Sequence, residues 1–114
     1  MIKKVLKLDS LDYYNTHLQI INPLLPVHLT PKEIEILAHF MSFDGTMEHD
    51  RFGTTARKIV KDTMKLSNAG ISNYMKSLKT KGFISGNNIV PVLFPSNGTE
   101  EYSFKLINID KHGE

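Results

Sequence analysis

The chain contains no cysteine. That excludes disulfides, thiolate nucleophiles and thiolate metal sites, and it fits a reducing compartment. Long apolar runs are missing too. A membrane-spanning helix needs about 18 consecutive apolar residues, whereas the opening Met1-Ile2-Lys3-Lys4-Val5-Leu6-Lys7-Leu8-Asp9 is already cut by Lys7 and Asp9. The glycines Gly45, Gly53, Gly70, Gly82, Gly86 and Gly98 are too dispersed to form a phosphate-cradling loop. No His-Glu-x-x-His occurs, and no Ser, His and Asp stand in a supporting order. Glu48-His49-Asp50 is a local cluster with the chemistry to hold a divalent ion, but with no partner motif it reads as a solvated loop. The expectation is therefore no catalytic residue, no metal and no cofactor: not an enzyme.

What is present describes a small globular domain. The 114 residues are 40% apolar and 23% charged, enough for one modest core and too little for a second, cofactor-bearing domain. A cytoplasmic location is expected. Charge is unevenly distributed. Arg51, Arg57, Lys58, Lys61, Lys65, Lys76, Lys79 and Lys81 face one acid, Asp62, over residues 51–81, and the flanking segments are each net acidic, so that the whole chain carries only +2. A local excess of cations on helical segments is a plausible footprint for a phosphate backbone.

The periodicity predicts four helices and a hairpin. Asp9 or Ser10 caps a first helix, with Leu11, Tyr14, Leu18 and Ile21 on one face and an end near Pro23. Thr30 at N-cap, Pro31 at N1 and Glu33 at N3 make a capping box for a second helix, whose buried stripe is Ile34, Leu37, Ala38 and Met41, widened by Ile36 and Phe40. Asp44-Gly45 ends it, and 43–53 reads as a loop. A third helix, capped by Thr54 or Thr55, turns Ala56, Ile59, Val60 and Met64 inward. A fourth, capped by Ser67, buries Ile71, Tyr74, Met75 and Leu78 and stops at Gly82, with Phe83 folding back. Beyond Ile84 the pattern turns to strand: 88–94 and 102–107 are expected to pair across the turn residues 95–98, with Pro91 marking an edge or bulge. These elements divide the chain into an N-terminal extension, 1–28, a domain, 29–109, and a frayed tail, 110–114.

Over residues 29–107 this order resembles the winged helix-turn-helix family, most closely its MarR-like regulators. Leu29-Thr30-Pro31 with Glu33, Ile36 and Leu37 is similar to the family's opening helix. Val60-Lys61-Asp62-Thr63-Met64-Lys65-Leu66-Ser67 resembles its second helix and turn, and Ile71, Tyr74, Met75 and Leu78 running into Lys81-Gly82-Phe83-Ile84 look like its recognition helix entering the wing. The resemblance implies an α+β winged helix, a three-helix helix-turn-helix core with a β-hairpin wing plus an extra N-terminal helix. It also implies a dimeric protein that places its third helix in the major groove of double-stranded DNA.

On that basis Asn68, Ser72, Asn73, Lys76 and Lys79 form the expected base-facing side of the fourth helix. Arg57, Lys58 and Lys61 are expected phosphate contacts, with a further one from the amides after Ser67. A homodimer would form through the N-terminal helix or another surface, and a monomer stays open. A different reading stays open, that of a winged-helix protein adaptor in a nucleoprotein or viral assembly. The near-neutral total charge and the acids Glu100 and Glu101 at the wing tip favour it.

Overall fold

Asp9 opens the first helix by accepting a hydrogen bond from the Asp12 amide at 2.8 Å, and α1 runs over Ser10–Ile21. The structure, a computed structural model, describes residues 7–43, 51–86, 88–93, 107, 108 and 110. A 3-10 turn, Asn22–Leu24, stops α1 where Pro23 removes a helical donor. The Asn22 amide then clamps the connection to the next helix. Its Nδ2 donates to the Leu29 carbonyl at 3.0 Å, while its Oδ1 accepts from the Leu29 amide at 2.7 Å.

The capping box forms as the sequence predicts. Thr30 Oγ1 accepts from the Glu33 amide, Glu33 Oε1 accepts from the Thr30 amide, and α2 covers Pro31–Met41. Ile34, Ile36, Leu37, Ala38, Phe40 and Met41 are all buried, and α1 packs on this helix through Tyr14 and Leu18. Those two residues belong to the same core as the rest, so the N-terminal helix is an integral layer of it.

Past residues 44–50, which lie outside the described residues together with the predicted Asp44-Gly45 stop, the chain re-enters at Arg51. Phe52 is buried with its ring 4.8 Å from that of Phe40. The third helix, α3, is Thr54–Thr63. Its N-cap is Gly53, with no side-chain capping bond, rather than the expected Thr54 or Thr55. Ala56 and Val60, four residues apart on one side, form its buried stripe, and Met64 is half-buried behind them. Ile59 flanks that narrow stripe and is 42% exposed, contrary to the inward position expected from its period.

Two helix ends share one device. After α3 the Leu66 amide bonds the Lys61 carbonyl and the Lys65 amide bonds the Asp62 carbonyl, with Lys65 at φ 56°. After the fourth helix, α4 (Asn68–Thr80), the Phe83 amide bonds the Leu78 carbonyl and the Gly82 amide bonds the Lys79 carbonyl, with Gly82 at φ 85°. Both are Schellman closures, which require a left-handed residue. Ser67 caps α4 by accepting from the Gly70 amide at 2.9 Å; Ile71, Met75 and Leu78 are buried, and Tyr74 is half-buried.

A hairpin follows, with strands other than those predicted. β1 (Ile84–Ser85) pairs antiparallel with β2 (Asn88–Ile89) in the register Ile84 to Ile89 and Ser85 to Asn88. The expected strand over 88–94 ends at Ile89 because Pro91 cannot donate to a ladder, and Pro91–Leu93 forms a 3-10 turn instead. The predicted second strand, 102–107, and the turn at 95–98 lie outside the described residues except for Ile107. Leu93 is fully buried, and its carbonyl accepts a hydrogen bond from His17 Nε2 at 2.9 Å, tying the end of the hairpin segment back to α1.

Among the described residues the result is four helices, one of them N-terminal to a three-helix core, and a two-stranded antiparallel hairpin: a winged-helix type of architecture. No helix among the described residues is long and apolar enough to cross a membrane.

Candidate nucleic-acid interface

The tight turn between α3 and α4 sets the two basic helices side by side. An open cleft of about 360 Å³ forms between them, lined by Thr54, Arg57, Lys58, Lys61, Asn68, Ile71 and Ser72. Five of the residues singled out in the sequence, Arg57, Lys58, Lys61, Asn68 and Ser72, therefore converge on one concavity, and no acid among the described residues lines it. Arg57 and Lys61 are half-buried; Lys58, Asn68 and Ser72 are exposed. Across the cleft, Lys61 Nζ donates to Asn68 Oδ1 at 3.0 Å. The first two turns of α4 supply Asn68 and Ser72, so the positive end of the helix dipole adds to the three cations.

The remaining predicted residues are placed differently. Lys76 and Lys79 are exposed on α4 beyond the cleft lining. Ser67 holds the N-cap, with its hydroxyl oxygen accepting from Gly70. Asn73 lies on another side of α4, in a groove of about 380 Å³ shared with Thr30, Glu33, Gly70, Tyr74, Ser77 and Lys81.

Two cations counted in the basic segment have structural partners. Arg51 Nη1 donates to the carbonyls of Phe40 at 2.7 Å, Met41 at 3.1 Å and Phe43 at 3.3 Å, covering the C-terminal end of α2. Lys81 Nζ donates to Glu33 Oε1 and, at 3.0 Å, to the His28 carbonyl. The surface charge available to a partner is correspondingly concentrated on Arg57, Lys58, Lys61, Lys65, Lys76 and Lys79.

Glu33 is the feature that sequence reasoning missed. Its capping role was legible, but its side chain is only 2% exposed and also accepts from Ser77 Oγ at 2.7 Å. Burial alone would raise its carboxyl. The hydrogen bonds from Lys81, Thr30 and Ser77, with the Lys81 charge, outweigh that and hold it below the ordinary carboxylate range. The apolar side of α1 belongs to the core. Tyr14, His17 and Leu18 are buried and Leu11, Tyr13 and Ile21 pack on the core, so this side faces inward and is not a free dimer surface.

The Glu48-His49-Asp50 cluster and the wing-tip acids Glu100 and Glu101 lie outside the described residues. No protein-family model, curated protein or solved structure matches the chain.

Proposed function

We propose that this protein binds double-stranded DNA through the α3–α4 cleft, as a MarR-like transcriptional regulator working in the cytoplasm. The observation that carries the reading is the convergence of Arg57, Lys58, Lys61, Asn68 and Ser72 on one cleft at the start of α4, lined by no acid among the described residues. Two classes of contact are combined there. Flexible cations on α3 suit phosphate oxygens, and the short polar side chains of α4 suit base edges. Lys76 and Lys79 extend the positive surface along α4. A homodimer formed through the N-terminal segment would rely on Leu24 and Val27, 82% and 43% exposed, because the apolar side of α1 is turned to the core.

The same exposed pair favours a second reading, a winged-helix adaptor that docks another protein on the α1–α2 connection. Titration against random-sequence duplex DNA at two salt concentrations separates the two. Phosphate contacts make affinity fall with salt, each contributing a slope of about −0.9. Arg57→Ala combined with Lys61→Ala should weaken binding to every duplex and flatten that slope by about 1 for each of the two cations that sits on a phosphate. Absence of binding at low salt would leave the adaptor, and an unchanged slope in the double variant would remove the cleft from the phosphate contacts.

A further inference from the structure

The hydrogen bond between Lys61 and Asn68 changes what the cleft can read. A lysine ammonium has three donors and no acceptor, so the 3.0 Å contact to Oδ1 fixes the amide: its carbonyl faces Lys61 and its NH2 faces away. A free asparagine recognises adenine by offering one acceptor and one donor. Here the acceptor is already engaged by a cation, and a donor approaching it from a base would also meet the positive charge of the ammonium. What the pair offers outward is donors alone, the Asn68 N–H groups beside the remaining N–H groups of Lys61.

Guanine presents two neighbouring acceptors, N7 and O6, in the major groove, whereas adenine puts a donor next to its N7. The fourth helix, Asn68–Thr80, contains no arginine, the side chain whose fork ordinarily reads guanine. The geometry points to Lys61 and Asn68 acting together as a composite guanine reader, two side chains on adjoining helices doing what one arginine fork does. Asn68 is the first residue of α4, the end of a recognition helix whose side chains meet base edges when it docks. Half-burial limits the freedom of Lys61, and Arg57 and Lys58 remain in the same cleft for the backbone. This inference rests on the duplex-binding reading and assigns a base preference to one part of that site.

Two non-bridging phosphate oxygens would offer the same pair of acceptors, and a base analogue tells the sources apart. The duplex that binds best from a randomised pool is titrated with each guanine in turn replaced by 7-deazaguanine, which lacks only the N7 acceptor. At one guanine the wild-type protein should lose about tenfold in affinity with its salt slope unchanged. Asn68→Ala, a change at an exposed first-turn position that leaves the Ser67 cap intact, should no longer distinguish guanine from the analogue there. Lys61→Met, which releases the Asn68 carbonyl, should shift the preference at that base pair towards adenine. Insensitivity to 7-deazaguanine at every position, with Asn68→Ala still weakening binding, would make the pair a phosphate contact and overturn the inference alone. So would a Lys61→Met variant that keeps the wild-type preference. Failure of the wild-type protein to retain any duplex at low salt would overturn the underlying duplex reading.

Discussion

Lys81 Nζ lies 2.5 Å from Glu33 Oε1, although the two residues are 48 positions apart in the chain. The contact joins the last turn region of α4 to the first turn of α2. It carries two further donors with it, the Ser77 hydroxyl and the Thr30 amide. One buried carboxylate therefore caps a helix and anchors the far end of the proposed recognition helix at the same time. The opposite end of α4, at Asn68, is left beside the cleft.

Glu33→Ala should be the most damaging polar substitution in the domain. It removes the capping bond, leaves Ser77 without its acceptor and leaves Lys81 only the His28 carbonyl. Breaking a buried pair costs about 3–5 kcal/mol, and since Lys81 is 22% exposed, a loss of about 2–3 kcal/mol is expected. Glu33→Gln, which keeps the shape and an acceptor, should lose about half as much. Urea unfolding at pH 7 measures both, and a loss below about 0.5 kcal/mol for the alanine variant would show that the network contributes little.

Acid should weaken the fold in two separable stages. His17 is held below its ordinary value of about 6.5, because burial disfavours the imidazolium; the bond to the Leu93 carbonyl opposes this without cancelling it. A lowered native value means that the unfolded chain takes up the proton first, so the His17 contribution is full above about pH 6.5 and is lost as pH falls below it. Glu33 has the same sign at lower pH: its contribution is full above about pH 4.3 and is lost as pH falls through its depressed native value. Urea midpoints at pH 7.5 and 5.5 should drop in the wild-type protein and drop less in His17→Gln, which does not titrate. Equal drops would remove His17 from the first stage.

The two Schellman closures make a matched test of backbone strain. Lys65 occupies the left-handed region at φ 56°, where a side chain costs about 1 kcal/mol, and Gly82 occupies it at φ 85° without that penalty. Lys65→Gly should therefore raise stability by about 0.5–1 kcal/mol, and Gly82→Ala should lower it by about 1 kcal/mol. No atom lies within 4 Å of a methyl group placed at Gly82, so the second effect reports the backbone alone. A destabilised Lys65→Gly would mean that the lysine side chain makes compensating contacts.

Local chemistry was legible wherever neighbouring residues decide the structure. The Thr30-Pro31-Glu33 box, the Ser67 cap and the Gly82 stop all stand where the sequence puts them, because each depends on residues within one turn. Ile59 was misread because tertiary packing decides its exposure, and the hairpin because one proline outweighs the residues around it. A ten-residue helix wedged between two others buries only the Ala56 and Val60 stripe, and Pro91 breaks a β-rich run that composition alone favours. The basic cleft was half legible. Spacing along α3 and α4 brought out Arg57, Lys58 and Lys61, but only the crossing of the helices separates Asn68 and Ser72 from Asn73. The partners of Arg51 and Lys81 lie in and beside α2, and charge counting along the chain cannot see them.

Arg51 tests that last distinction directly. By charge it belongs with the cations of the basic segment; by contact it serves the last carbonyls of α2, which lack amide donors from a following helical turn. Its guanidinium spans the carbonyls of Phe40, Met41 and Phe43, while Phe52, the next residue, packs on Phe40, so the side chain and its neighbour fasten the chain to the same helix end. Arg51→Ala should cost about 1–3 kcal/mol of stability, and Arg51→Lys should recover only part of it, because an ammonium is more strongly hydrated and sits on a more flexible stem. Neither variant should alter the salt slope of duplex binding, in contrast to Arg57→Ala with Lys61→Ala. A slope that flattened in Arg51→Ala while its urea midpoint stayed at the wild-type value would return Arg51 to the nucleic-acid surface.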